Sequence, residues 1–561
     1  MRKKRLPIGI SDFKVLIDEG YAYVDKTMLI QELVDKGGAV ALFPRMRRFG
    51  KTLNLSMLRY FFEKTSEDTS HLFSPLQIWK EKSCRELQGK FPVIFLTLKD
   101  IKHSTWEDTY DSFQKIMAEE FESHRYLLDG NLLSEGEKSD FLATLSKNAK
   151  KISLEQSLRD LTKWLMRYHQ RRVIILIDEY DAPALAAYVH GYYDILIPFL
   201  RNWLSAGLKD NTSLERGVLT GILRIAKESI FSGLNNIQTF SILHTSFQDK
   251  FGLLENEVKA LLEEYGLVDK MPSIKKWYNG YRIGSCDGIY NPWSVLQCLS
   301  DGGSLIPYWV NTSDNALMKQ LITQGTDTFK TDVEELMKGH SIEKKIEEGL
   351  ILTDLNRNTD AVWSLLLFSG YLTLGAAPPS SRLCHLRIPN TEVKELYTSM
   401  ILEWFKTSID ASRYQLMLSS LVTGDIDTFS KIFQNFLISS VSVFDVPSDE
   451  PEKVYHAFVL GMLIGLEGRY EVRSNRESGY GRYDVMLIPK DIKELGIVIE
   501  FKKIDRFEKM TLEEAAESAL KQIRDKQYDK ELTSKGVCKI LHLALAFEGE
   551  KVLIQALSPP I

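Results

Sequence analysis

The residues able to do chemistry in this 561-residue sequence gather at two places. The first is Gly50-Lys51-Thr52, preceded by the basic loop Arg45-Met46-Arg47-Arg48-Phe49 and by an apolar run from Ala39 to Phe43. Leu53 follows, and Leu55, Leu58 and Phe62 then recur at helical spacing. Buried strand, loop, Gly-Lys-Thr and amphipathic helix are the layout of a phosphate-binding P-loop. Main-chain N–H groups at a helix N-terminus point at an anion, the Lys51 ammonium adds positive charge, and the Thr52 hydroxyl suits Mg²⁺. One position departs from the pattern G-x-x-x-x-G-K-T, because Arg45 stands where its first glycine belongs.

Two later segments supply what a P-loop needs. Five apolar residues, Val173 to Ile177, end in Asp178-Glu179, as a central parallel strand does at its carboxyl end. In that setting Asp178 holds Mg²⁺ and Glu179 polarises the attacking water. Taken alone, a buried strand ending in a solvated acidic turn would explain the pair equally well. The strand Val218 to Ile222 then carries Thr220, placed to sense a γ-phosphate, with Arg224 just beyond it. Arg224 either stabilises charge on the transferring group, from its own or a neighbouring subunit, or caps a surface helix.

The second place is C-terminal. Asp484 lies near the start of one strand, and Glu500-Phe501-Lys502 ends the next, led in by Ile497, Val498 and Ile499. Side chains alternate along a strand, so Glu500 and Lys502 share a face while Phe501 packs behind. Two carboxylates brought together repel unless a divalent cation lies between them, and such a cation activates water. This is the D…E-x-K arrangement of a metal-dependent phosphodiesterase, with Asp484 and Glu500 as ligands and Lys502 orienting water or offsetting charge. Gln522 and Tyr528 on a following helix, and Glu452 upstream, are candidate accessory groups. The basic, glycine-containing stretch Arg473 to Arg482 suits contact with a phosphate backbone.

The intervening pattern positions these groups. Strands alternate with helices over residues 39–245, with helices expected from Trp106, over Leu154 to Tyr168 and over Tyr193 to Leu204. Residues 129–150 are polar and read as a surface connection. From about 250 the sequence turns to helices and aromatic turns, including Lys276–Tyr281 and Ile289–Ser294, which imply loops packed over a core. Three strands, a helix over Glu513 to Lys526 and a last strand near Ile540 to Phe547 complete a C-terminal α+β module.

Composition excludes several classes. Apolar content of 44% and charged content of 26% are those of a globular protein. A net charge of −5 gives no global pull toward nucleic acid. The five cysteines lack zinc or redox spacing, and no apolar segment follows Arg2-Lys3-Lys4-Arg5, so a cytoplasmic protein is expected. The uncharged stretch Ala361 to Ser381 is broken by Gly370, Gly375, Pro378 and Pro379, which favours a buried helix turning into a strand over a membrane span.

Residues 6–62, together with Ile177–Pro183, Thr220–Arg224, Trp277–Tyr281 and Tyr290–Ser294, resemble the AAA-ATPase-like family, and residues 452–528 resemble the PD-(D/E)xK nuclease superfamily. The resemblance implies an α/β P-loop NTPase domain with a mostly parallel sheet (1–248), a helical lid and middle region (249–445), whose helix–strand segment at 362–374 would also suit a winged-helix-like fold, and a restriction-endonuclease-like α+β domain (446–561). It also implies ATP and Mg²⁺ as cofactors. The family's P-loop lacks the first glycine, so Arg45 is a family habit. Arg45, Arg47 and Arg48 are then expected to supply phosphate contacts with their side chains, beside Phe49 to Leu53. The expected activity is ATP-regulated, Mg²⁺-dependent cleavage of nucleic acid, DNA before RNA, with no membrane partner and with a homo-oligomer left open. The alternative is an ATP-dependent switch or scaffold whose nuclease-like domain binds without cleaving.

Overall fold

The structure is a computed structural model. It describes residues 3–225, 236–309, 327–441 and 459–557, apart from short breaks at 338, 357, 376–382, 409–410, 460–461, 467, 479–480, 505–509 and 549–550. The chain forms two compact units, Met1–Asp314 with Ser341–Lys394, and Asn315–His340 with Glu395–Ile561.

The first unit is built on five strands: β1 (Val40–Pro44), β2 (Val93–Thr97), β3 (Val173–Asp178), β4 (Leu214–Gly221) and β5 (Ile237–Thr239). Every neighbouring pair is parallel, in the order β2-β3-β4-β1-β5. β1 and β3 are buried along their whole length, which is why both are continuous apolar runs. Because β4 is inserted between them, Thr220 lies beside Phe43 on one side and just past the Ile177–Leu219 pair on the other. Helices Lys51–Phe62, Trp106–Ser123, Lys151–His169 and Tyr193–Leu208 accompany the sheet. One more helix, Glu135–Leu145, occupies the segment expected to be a surface connection. A capping box between Ser134 and Glu137 starts it, and Phe141 anchors it.

Residues beyond the sheet fold onto the same unit. Tyr278, Tyr281 and Tyr290 are fully buried, so the aromatic turns are core. They flank a hairpin of β6 (Tyr281–Ile283) and β7 (Cys286–Ile289). Gly280 has φ 105°, and a Cβ there would lie 2.1 Å from the Pro389 carbonyl oxygen, so only glycine fits. A small antiparallel sheet joins β8 (Ile342–Lys345), β9 (Thr373–Leu374) and β10 (Leu383–Arg387). The helix Thr359–Ser369 is buried from Ala361 to Ser369 and stops at Gly370, φ 92°. Among the described residues no helix is long and apolar enough to cross a membrane.

The second unit is a mixed sheet of β11 (Tyr470–Ser478), β12 (Gly481–Pro489), β13 (Gly496–Lys503), β14 (Ile540–Glu548) and β15 (Lys551–Leu557), paired in that order. Only β13 and β14 run parallel, and the helix Leu512–Lys526 is the crossover between them. Ala515, Ala516, Ala519 and Ile523 of that helix pack on one face of the sheet. Leu421, Phe429 and Phe433, from helices Ala411–Thr423 and Ile426–Val441, cover the other. Residues 249–445, expected as one middle region, are thus shared between the units: of the described residues, those within 249–309 and 341–394 pack with the first, and those within 327–340 and 395–441 with the second. Glu452, the expected linker at 446–451 and half of the expected helix Tyr455 to Leu466 lie outside the described residues.

A buried carboxylate ties the first unit together. Glu392 accepts from Ser294 Oγ at 2.8 Å and from the Trp309 N–H at 2.8 Å. Burial pushes its pKa up to about 7, opposed by these hydrogen bonds. A folded-state value above the ordinary 4.5 makes this contribution greatest below pH 4.5 and lost as pH rises through about 7. Glu392→Gln keeps an acceptor but cannot ionise. Thermal unfolding across that pH window should therefore lose a slope worth on the order of 3 kcal/mol in the variant.

Candidate functional sites

The phosphate loop runs from Arg45 into the helix Lys51–Phe62. Gly50 is that helix's N-cap with φ 80° and ψ 20°, a left-handed turn that glycine adopts without strain. Two non-glycine residues near it are also left-handed, Arg48 at φ 66° and Glu179 at φ 48°. The buried Lys51 ammonium turns back on the loop, donating to the carbonyls of Arg45 at 3.2 Å and Met46 at 3.1 Å. Burial lowers its pKa, against the pull of Glu179, Asp178 and Asp181. Asp178 is fully buried at the end of β3 and accepts from Thr52 Oγ1 at 2.7 Å and Thr220 Oγ1 at 2.6 Å. Its pKa is raised by burial, which the two hydroxyls partly offset. Thr52, Asp178 and Thr220, far apart in sequence, therefore meet at one carboxylate. Hydroxyl and carboxylate oxygens are the hard donors that suit Mg²⁺.

The other side of the loop is packed. Phe49 meets the Tyr281 ring edge to face at 5.1 Å, and the Arg48 guanidinium lies 4.4 Å over the Trp293 ring. Arg47 is half-buried, with Tyr371 within reach of its charge. Leu53 borders an apolar cleft with Leu16, Tyr23, Phe49, Leu253 and Pro292.

Arg45 is placed differently from the expectation. Its side chain is fully buried and donates to the carbonyls of Pro44 at 2.9 Å, Phe240, and Phe247 at 3.3 Å. The guanidinium lies 4.8 Å over the Phe251 ring, and burial lowers its pKa to about 9. The side chain is therefore a core anchor under the loop, because the carbonyls between Phe240 and Phe247 need a donor that only a long side chain reaches.

The residues just after Asp178-Glu179 were missed by the sequence reading. Asp181, buried and with its pKa pushed up to about 6 by that burial, accepts from the N–H groups of Ile222 and Leu223, both at 2.8 Å. The Tyr180 hydroxyl donates to the Leu223 carbonyl at 2.7 Å and accepts from the Ile225 N–H at 3.1 Å. Gly221 permits this approach, since a Cβ there would lie 2.6 Å from Asp181 Oδ1. The turn that carries Arg224 is thus held directly by the acid strand. Arg224 Nη1 lies 3.6 Å from Glu348 Oε2, an ion pair; the segment 226–235 that it was alternatively expected to cap lies outside the described residues. The spacing of Asp-Glu-Tyr-Asp against Thr220-Gly-Ile-Leu-Arg224 was the available signal.

In the C-terminal unit the pairing of β12 with β13 ends at Val485–Ile499, which leaves Asp484 and Glu500 facing each other where the strands part. Asp484 Oδ2 accepts from the Phe501 N–H at 2.8 Å. Glu500 is 2% exposed. Gln522, from the crossover helix, donates from Nε2 to Glu500 and accepts at Oε1 from the Lys502 ammonium at 2.8 Å. Gln522 Nε2 also reaches the Tyr528 hydroxyl at 3.2 Å, and burial raises the pKa of that phenol, with Glu500 and Asp484 adding to the shift. Asp484, Glu500, Lys502, Gln522 and Tyr528 are therefore one cluster. Two carboxylates completed by water suit Mg²⁺, and among the described residues no group of three or more His, Cys, Asp or Glu side chains joins them. Arg473, expected to meet phosphate, is ion-paired with Glu471 at 2.6 Å and with Glu531.

A parallel sheet with Gly-Lys-Thr and a buried acid at its strand ends defines a P-loop domain, and the mixed sheet with Asp484 and Glu-x-Lys defines a nuclease-like one. The comparisons agree. Residues 7–231 match the family model described as predicted AAA-ATPase, and residues 450–556 match that of the PD-(D/E)XK nuclease superfamily. One chain thus carries an AAA-ATPase-like domain and, at its C-terminus, a PD-(D/E)XK nuclease superfamily domain. A protein of Azotobacter chroococcum mcd 1, described as an uncharacterized protein in the vnfD 5′ region, is 26% identical over 561 residues, covering 96% of this chain and 95% of its own. No solved structure matches.

Restoring the glycine of the P-loop pattern tests the role of Arg45. Arg45→Gly would strand carbonyls of Pro44, Phe240 and Phe247 and open a cavity. Denaturant unfolding should show a loss of about 3 kcal/mol or more. An unchanged midpoint would refute the anchor.

Proposed function

We propose that the chain binds and hydrolyses ATP in its N-terminal unit, and that its nucleotide state regulates a Mg²⁺-dependent nuclease that cleaves DNA phosphodiesters in its C-terminal unit. The observation that carries this reading is the Gln522 clamp, which fixes Glu500 and Lys502 together beside Asp484. Asp484 and Glu500 would hold the metal. When bound, Mg²⁺ supplies a lowered pKa to water and neutralises the two carboxylates. Lys502 then orients water or offsets charge on the phosphate, and Gln522 keeps both side chains in place as charge develops.

For ATP, Lys51 and the amides of Gly50 to Leu53 hold the phosphates, and the apolar cleft at Leu53 takes the base. Thr52 and Asp178 are the Mg²⁺ groups, Glu179 polarises water and Thr220 senses the γ-phosphate. Arg224, released from Glu348, offsets charge on the transferring group. The two activities lie on one polypeptide, which motivates their coupling.

The test is a nuclease assay on plasmid, linear and single-stranded DNA with Mg²⁺, crossed with ATP, ADP and a non-hydrolysable analogue. Lys502→Ala should lower cleavage about 100-fold or more. Lys51→Ala should abolish ATP turnover and the nucleotide response while leaving the nuclease cluster folded. Wild type and Lys502→Ala equally inert under every condition would remove the nuclease claim. ATP turnover that never responds to DNA would favour a switch or scaffold instead.

A further inference from the structure

A groove of about 490 Å³ in the C-terminal unit belongs to neither site. Arg524, Lys530, Thr533 and Ser534 line it and are exposed, with Asp529 at its side. His542 of β14 also lines it, only 2% exposed. Among the described residues neither imidazole nitrogen has a hydrogen-bond partner. The Asp529 carboxylate is 3.8 Å from Nε2, too far for a hydrogen bond. The strand partners of His542 are the apolar Val498 and Leu557, so a polar ring here has no packing rationale.

We propose that this groove is a phosphate subsite that grips the nucleic-acid backbone beside the cleavage site. The proposal rests on the nuclease reading. A guanidinium fork, an ammonium, two hydroxyls and a buried ring N–H are donors matched to phosphate oxygens, and they recognise backbone without reading sequence. Burial and Arg524 favour the neutral ring while Asp529 favours the charged one, and either form keeps at least one N–H donor. A metal is a poorer fit, since His542 and Asp529 are not joined by a third ligand among the described residues.

The placement relative to Glu500 supports the assignment. Glu500 pairs with Ala544 and Val498 with His542, so the groove residue lies on the same sheet face, one strand over and two residues back. The Cα separation is about 8 Å from strand geometry, on the order of one nucleotide step of backbone. Gln522, which clamps the cleavage site, and Arg524, which lines the groove, are carried by the same last turns of one helix.

The experiment uses the full chain carrying Lys502→Ala, so that DNA is bound without being cut. A labelled duplex is titrated by anisotropy at several salt concentrations, with Arg524→Glu, Lys530→Glu or Lys521→Glu added. Lys521 lies on the same helix but does not line the groove. Arg524→Glu and Lys530→Glu should each weaken binding about tenfold and lower the salt slope by about one, while Lys521→Glu stays within about twofold. Binding that is unaffected by the groove variants, or equally weakened by Lys521→Glu, overturns the subsite and leaves the nuclease reading standing. If the chain binds no DNA, the nuclease reading fails, and inorganic phosphate decides the groove. A phosphate-induced rise in Tm that disappears in Arg524→Glu keeps it as a site for free phosphate, and no such difference overturns it.

Discussion

The first unit depends on one buried charge. Asp178 has no access to solvent, and a carboxylate in that position must be hydrogen-bonded or neutralised. Its two partners are hydroxyls, Thr52 from the helix after β1 and Thr220 from β4. In the observed order, with β4 between β1 and β3, both come within reach, so strand order and polar satisfaction agree. The next residues extend the constraint, since Tyr180 and Asp181 saturate the main chain of the turn beyond β4. Acid strand, phosphate loop and the Arg224 turn form one polar framework inside an apolar shell.

The two lysines at the candidate sites are held in a similar way. Lys51 rests on two main-chain carbonyls and Lys502 on a glutamine oxygen. Neither is locked to a carboxylate partner in these bonds. A neutral acceptor satisfies an ammonium while leaving its charge available, and an arriving phosphate exchanges a weaker bond for a stronger one. Arg224 is held by a carboxylate instead, Glu348, and must give up an ion pair before it can act elsewhere.

Much of this was legible in the sequence where the signal was local. Val173 to Ile177 is apolar throughout because β3 is buried on both faces, and Gly50-Lys51-Thr52 is contiguous. Alternation placed Glu500 and Lys502 on one face; Gln522 reaches the same cluster from the crossover helix, whereas Tyr528, expected on that helix, reaches it from the turn just past its C-cap Gln527. What escaped depends on partners distant in sequence. A basic residue in a basic loop looks like a ligand for phosphate, and nothing near Arg45 announces carbonyls some 200 positions away. Tyr180 and Asp181 carry no signal until the turn they hold is beside them. β5 is three residues long and β15 is a half-buried edge, so neither shows a strong period. The middle segment has two apolar cores to join, and composition does not say which residues join which.

The anchoring of Arg45 bears on how a nucleotide would enter. The residue that opens the loop is fastened from below to the segment around Phe240 and Phe247, while Phe49 and Arg48 are fastened from the side by Tyr281 and Trp293. A cradle held at three points does not have to fold around its guest. The entropy of ordering it is spent during folding of the protein, and association is left to proceed at the pace of diffusion and desolvation.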